Sequence, residues 1–243
     1  MSKTIHLISD LHLCEEHSHL FELFKFYMQN IAPNSQQLIV LGDLFDVWIG
    51  DDHATEFNQN VIRLFNHYSN NHGELLIAHG NRDFLLGQKF ADSCDGKLIE
   101  EPFNFKWQNK NICLMHGDSL CTDDVAYQEF KNMVRTNEWQ TQFLSLPIEK
   151  RLEIASGIKQ QSKDAQREKQ AEIMDVNSSA VNQCFIDNQC DWLIHGHTHR
   201  EGQHQIDLSE DKAETRIVLS DWDKQGHYLE LKDQHFQSIY FLS

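Results

Sequence analysis

The sequence predicts an α/β fold in which parallel strands alternate with helices and one helical insertion interrupts the pattern. Three observations carry this. Short apolar runs recur five times, and each stops at a polar loop rich in histidine, aspartate or glycine. Amphipathic helical patterns separate the first of these runs. From about Asp123 to Lys169 the strand rhythm gives way to helical spacing. At 243 residues the chain is long enough to bury a full core.

The first run, Ile5 to Ile8, stops at Ser9-Asp10-Leu11-His12. Ser18 is then placed to cap a helix with Leu20, Leu23, Phe24 and Tyr27 on one stripe, ending near Pro33. Leu38 to Leu41 is a second buried strand, followed at once by Gly42-Asp43. Val61, Leu64, Phe65 and Tyr68 mark another helix, and Gly73 closes it. Leu75 to Ala78 runs into His79-Gly80-Asn81-Arg82-Asp83, and Ile112 to Met115 into His116-Gly117-Asp118-Ser119. Trp192 to Ile194 leads into His195-Gly196-His197-Thr198-His199-Arg200. Three tail stretches, Ile217 to Leu219, Tyr228 to Leu231 and Ile239 to Leu242, read as strands closing a sheet. In open α/β sheets ligands sit at the carboxy ends of strands, so the five loops are expected to converge on one site.

The insertion differs in charge as well as in period. Residues 125–170 hold eight Lys or Arg and six Asp or Glu, a net of +2, in a chain of formal charge −16; the remainder therefore carries −18. A basic, helical, partly apolar segment in an acidic protein reads as a lid over a site. The overall acidity argues against a protein that binds nucleic acid non-specifically. The six cysteines form no Cys-x-x-Cys pair, which points to a reduced setting. The amino terminus reads as a strand and not as a signal peptide, and no apolar run is long enough to span a membrane.

The loops carry the chemistry. Asp10-x-His12 offers a carboxylate and an imidazole at alternate positions, suited to one cation. Gly42-Asp43 presents a carboxylate that can bridge two cations, behind a glycine that lets backbone approach. Asp46, Asp51 and Asp52 are read as solvated or supporting. Asn81 brings an amide oxygen for a hard metal and Arg82 a guanidinium that matches phosphate. His116-Gly117-Asp118 repeats the pattern, and His195, His197 and His199 complete it. Alone, Asp10-x-His12 reads equally well as a helix cap with a solvated histidine, Gly42-Asp43 reads better as a turn, Gly80 to Asp83 as a turn with a surface arginine, and His116 as a satisfied loop histidine. Together, and in this order, they are a metal site.

The set Asp-x-His, Gly-Asp, Gly-Asn-x-Asp, His-Gly-Asp and Gly-His-x-His resembles the calcineurin-like metallophosphoesterase superfamily. The resemblance implies a four-layer α/β/β/α sandwich, one domain over residues 1–243 with a helical lid at about 122–169. It implies that Asp10, His12, Asp43 and His199 hold one metal, and Asp43, Asn81, His116 and His197 the other. This mixed oxygen and nitrogen set suits two Mn²⁺, with Fe or Zn as alternatives. Asp10, His12, Asp43, Asn81, Arg82 and His116 would be the catalytic residues, acting on a water whose pKa two metals about 3.5–4 Å apart lower towards about 7.

Many superfamily members have a histidine, thought to assist the leaving group, where this chain has Arg82. A phosphate leaving group departs without protonation near neutral pH, so arginine there favours a phosphoanhydride over a phosphomonoester. In finer detail the chain resembles the branch that cleaves UDP-2,3-diacylglucosamine in lipid A synthesis. That likeness rests on Ser9 to Leu13, Gly42 to Asp52, Gly80 to Phe84, Met115 to Asp118, Ile173 to Asn177 and His195 to Arg200. It implies water attack on the α-phosphorus to give UMP and 2,3-diacylglucosamine 1-phosphate. Asn81, Arg82, Asp124, Ser162, Gln166, Lys169 and His197 are similar to that branch's substrate contacts, although Gln166 stands where asparagine is common. The lid would cap the acyl chains, and the protein would sit peripherally, as a monomer, on the cytoplasmic face of a bacterial inner membrane. The rival readings are a soluble nucleotide or phosphoprotein phosphatase, and a metal-binding scaffold without catalysis.

Overall fold

Two sheets stack face to face, and period-two alternation in their strands decides what each face buries. A computed structural model describes residues 3–53, 55–168, 175–209 and 212–243, leaving out the side chains of 163–168, 209 and 212. The first sheet has the order β11-β10-β1-β2-β3-β4, formed by β1 (Ile5–Ile8), β2 (Gln37–Leu41), β3 (Glu74–Ala78), β4 (Lys97–Leu98), β10 (Gly226–Lys232) and β11 (His235–Phe241). The second has the order β5-β6-β7-β9-β8, from β5 (Phe103–Trp107), β6 (Lys110–Leu114), β7 (Trp192–His195), β8 (Gly202–Ser209) and β9 (Lys212–Val218).

Ile5, Leu7, Ile39, Leu41 and Leu76 of the first sheet meet Ile112, Leu114, Ile194 and Ile217 of the second in a core between the sheets. Their neighbours in sequence, Ile8, Leu38, Val40, Leu75 and Ile77, face the opposite way. There they pack on α1 (Ser18–Phe26), α2 (Glu56–Asn71) and α3 (Gln88–Ser93) through Leu23, Phe24, Val61, Phe65 and Phe90. On the far side of the second sheet, Cys113, Met115 and Leu193 meet Val181 and Phe185 of α7 (Ser178–Asn188). Helix, sheet, sheet and helix give the four layers.

Strands β1, β2 and β3 run parallel, as do β6, β7 and β9, so their carboxy ends open on one rim. Backbone bonds tie the emerging loops: Asp10 N donates to Gly42 O at 3.2 Å, His12 N to Asp43 O at 3.0 Å, and Gly196 N to His116 O at 2.8 Å. Between β6 and β7 the chain forms three further helices, α4 (Val125–Val134), α5 (Asn137–Leu144) and α6 (Ile148–Glu168). Asp124 and Thr136 cap the first two by accepting from the backbone N–H of Tyr127 and Trp139.

Two details depart from expectation. Ser18 does not cap α1; the backbone leaves helical geometry at His17, whose carbonyl accepts from Leu20 N, so Ser18 is the first helical residue. The helix also stops at Phe26, and a wider turn over Tyr27–Ile31 carries the chain to Pro33.

Candidate metal centre

Five expected ligands, Asp10, His12, Asp43, His197 and His199, adopt left-handed backbone conformations (φ 48° to 67°). They make up half of the ten described non-glycine residues that do so. Such conformations cost of order 1–3 kcal/mol each and persist where surroundings over-determine them. The surroundings are visible. A Cβ at Gly80 would collide with the backbone and carboxylate of Asp43, and one at Gly196 with Ser9 and Asp10. Asp83, fully buried, accepts from four backbone N–H groups: Gly80 (2.8 Å) and Asp43 (3.3 Å) on Oδ1, Leu44 (2.8 Å) and Phe45 (3.3 Å) on Oδ2. It is a staple between two ligand loops.

Ligand atoms of Asp10, His12 and His199 lie within 4.8 Å of one another, and so do those of Asp10, Asp43 and His116. His12 Nε2 is 3.4 Å from His199 Nε2, which is 3.5 Å from Asp10 Oδ1. On the other side Asn81 Oδ1 lies 3.0 Å from His116 Nε2 and 2.8 Å from His197 Nδ1. Asp43 Oδ2 is between the two groups, 3.9 Å from His12 Nδ1 and 3.8 Å from His116 Nε2. The structure thus brings together all seven residues expected to ligate.

The donor set fits cations. His116 Nδ1 is 2.9 Å from the carbonyl of Leu41, an acceptor only, so Nδ1 carries a proton and Nε2 points at Asn81 and Asp43. Burial disfavours charge on His116, yet Asp43, Asp10 and Asp118 outweigh it and pull its pKa up to about 9. His199 behaves alike: burial opposes, but hydrogen bonds to Asp10 and Asp221 carry it up to about 10. The carboxylates hold positive charge on these two imidazoles, whereas burial and then the neighbouring His116 bring His197 down to about 3; divalent ions meet the same demand for positive charge.

His195 is different. Fully buried, its pKa falls to about 3 through burial and then Arg216; Nδ1 meets Gly196 O at 2.8 Å and Nε2 meets Arg216 Nη1 at 3.2 Å. It braces the loop that carries His197 and His199. Arg200 pairs with Asp175 at 2.5 Å.

Beside the ligands lies a cavity of about 640 Å³. His12, Asp43, Asn81, Arg82, His197 and His199 form its polar end. Trp48, Phe84, Phe130, Trp139, Phe143 and Ile158 form an apolar wall, largely from the inserted helices. Asp124 and Ser162 also line it. Lys169 lies outside the described residues, as does the side chain of Gln166.

Polar contacts that the sequence did not disclose tie the insertion to the ligand loops. Arg135 donates to Gly80 O at 2.8 Å, and Lys131 and Tyr127 meet buried Asp118 at 2.9 and 2.5 Å. Lys159 pairs with Asp46, and Arg151, itself buried, pairs with Asp52 and donates to Ile49 O at 2.8 Å. Asp51 accepts from Gly87 N and Phe90 N at the start of α3, and from Trp48 Nε1. Of the two readings, solvated or supporting, the contacts favour a supporting role for Asp46 and Asp51, while Asp52 pairs with Arg151 and still keeps a side chain 54% exposed. Asp221, beside His199, was also missed; only the polar Ser220-Asp221 following an apolar run could have flagged it.

Sheets, rim loops and paired ligand groups define a metal-dependent phosphoesterase, and the chain belongs to the calcineurin-like phosphoesterase family, whose model matches residues 3–201. Membership implies divalent metals. Relatives named UDP-2,3-diacylglucosamine hydrolase span nearly its whole length. One from Histophilus somni is 42% identical over 98% of this chain and 100% of its own. One from Pasteurella multocida is 41% identical over 100% of this chain and 99% of its own. A third, from Tolumonas auensis, is 38% identical over 96% and 94%.

Proposed function

We propose that the chain hydrolyses the pyrophosphate bond of UDP-2,3-diacylglucosamine, attacking the α-phosphorus to release UMP and 2,3-diacylglucosamine 1-phosphate. One observation carries the reading: a single cavity joins a two-cation ligand cluster to a wall of aromatic and aliphatic side chains. A substrate with a diphosphate at one end and acyl chains at the other matches both.

Asp10, His12, Asp43 and His199 would hold one ion and Asp43, Asn81, His116 and His197 the other, with Mn²⁺ favoured by the mixed donors. When bound, such a pair lowers the pKa of water and offsets phosphoryl charge. The chain does the rest. Arg82 is aimed by its backbone, whose N–H donates to Asp43 Oδ1 at 2.8 Å, and its guanidinium lines the cavity where two phosphoryl oxygens can be gripped at once. It stabilises charge in the transition state and supplies no proton, which suits a phosphate leaving group. Asp124, Ser162, Gln166 and Lys169 are assigned to substrate contacts around the headgroup.

The inserted helices act as a lid over the acyl chains. Exposed Val125, Met133, Leu152 and Ile154 give them an apolar outer surface, and we assign it to peripheral contact with the cytoplasmic face of the inner membrane. No described helix is long and apolar enough to cross a membrane. All seven expected ligands lie on one chain, and we assign a monomer as the active unit.

The test is Mn²⁺-dependent release of UMP from the diacylated substrate, compared with UDP-N-acetylglucosamine and an aryl phosphate. Turnover confined to the diacylated compound is expected. Comparable turnover of the other two would replace this reading with a soluble nucleotide or protein phosphatase.

A further inference from the structure

We propose that Asp221, which lies on the loop between β9 and β10, is a positioning residue for the first metal site: it fixes which nitrogen of His199 faces the cation and so sets that site's affinity. This rests on the two-metal reading above. Asp221 Oδ2 is 3.2 Å from His199 Nδ1. A carboxylate only accepts, so the proton sits on Nδ1 and the lone pair on Nε2, the atom facing Asp10 Oδ1 at 3.5 Å and His12 Nε2 at 3.4 Å.

The other histidines are oriented differently. His116 is fully buried and braced by a neutral backbone carbonyl. His197 turns Nδ1 towards Asn81, and His12 turns Nδ1 towards Asp43, both expected ligands themselves. Among the described residues His199 is the one expected ligand whose outward nitrogen meets a carboxylate that is not also a ligand. It is also the one that packing restrains least, with a side chain 39% exposed. An imidazole this open would otherwise lose rotamer freedom each time it ligates, which weakens binding.

The loop that carries the carboxylate is itself held. Ser220 N donates to His227 Nδ1 at 3.3 Å, Trp222 Nε1 donates to His227 O at 2.8 Å, and Trp222 N donates to Asp10 O at 3.1 Å. Residues 220–222 therefore touch two ligand loops at once, the Asp10 loop through backbone and the His199 loop through Asp221. They bridge β9 of one sheet and β10 of the other, so the brace is anchored in both layers.

The experiment titrates chelator-stripped full-length protein with Mn²⁺ alone, reading stoichiometry by calorimetry and the ion pair by electron paramagnetic resonance. Wild type should show a spin-coupled pair. In Asp221→Ala one site should weaken by about 10–100-fold while the other keeps its affinity, and the coupled signal should give way to that of an isolated ion at limiting Mn²⁺. Asp221→Asn, isosteric and still an acceptor, should fall between, and it carries the test if the alanine protein does not fold. A coupled pair with unchanged affinities in both variants would overturn the proposal alone, as would equal weakening of both sites. A wild-type protein that takes up no pair would overturn the two-metal reading with it.

Discussion

Replacing Asp83 by asparagine should loosen the platform on which the metal ligands stand. Each carboxylate oxygen of Asp83 accepts one bond at 2.8 Å and one at 3.3 Å. Whichever oxygen becomes the amide nitrogen, two buried N–H donors then face a donor. A buried donor left unpaired costs about 1–3 kcal/mol, the shorter bond at the upper end and the longer at the lower, so the sum is about 3–4 kcal/mol. For a chain this size that lowers Tm by about 6–16 °C. Differential scanning calorimetry of metal-free protein reads this directly, without contribution from bound cations. A variant melting within about 2 °C of wild type would refute the argument, because it would mean the four bonds are replaced without cost. Mn²⁺ should also stabilise the variant less than wild type, since Asp43 and Asn81 flank the loosened loops.

Three further outcomes follow from particular contacts. Arg82→Lys keeps the charge but loses the planar fork, so kcat/KM for the pyrophosphate substrate should fall by about 10–100-fold, the equivalent of one charged hydrogen bond; an unchanged value would remove Arg82 from the mechanism. Arg151→Met frees the lid helix from Ile49 O and Asp52, costing about 1–2 kcal/mol of closure, so KM for the diacylated substrate should rise about 5–30-fold with kcat little altered; equal effects on a short unacylated analogue would contradict it. His227 is 1% exposed and burial holds its pKa down to about 4, against about 6.5 unfolded. Between those values the unfolded chain binds the extra proton, so stability should fall by up to about 3 kcal/mol as pH drops from about 6.5 to 4. Urea unfolding of His227→Asn should show a shallower acid-side decline, and parallel curves would sink that account.

What the sequence disclosed depended on how apolar or how chemically distinctive each segment is. Buried parallel strands such as Leu38 to Leu41 are continuous apolar runs, and they appear where expected. Strand β8, Gly202–Ser209, lies at a sheet edge and is mostly polar, so period alone could not reveal it. Helix α7 carries its buried side chains at only Val181 and Phe185, which leaves a weak stripe although Asn177 caps it well. The ligands were legible because histidine and aspartate at strand ends are chemically conspicuous. Asp83 and Asp118 stood out as parts of motifs but their roles did not, and Arg151 and Asp221 did not stand out at all, because these roles lie in contacts with backbone or with residues far away in sequence: Asp52 to Arg151 spans 99 positions.

Those distant contacts also explain why the insertion belongs to the site and not merely above it. Two of the three inserted helices, α4 and α6, are fastened to ligand loops or their neighbours. Helix α4 reaches the loop after β6 through Lys131 and Tyr127, and Arg135 just beyond it reaches the loop after β3. Helix α6 reaches the loop after β2 through Lys159 and Arg151. In each case a cation of the insertion meets an acidic or carbonyl group of the sandwich, which is why the local charge is +2 within a chain of −16. An insertion attached only by apolar packing could shift without disturbing the ligand loops. Fastened at Gly80, Asp118 and Asp46, it cannot move far without moving the loops of Asn81, His116 and Asp43. The insertion is in this way linked by polar contacts to the same loops that carry the expected ligands.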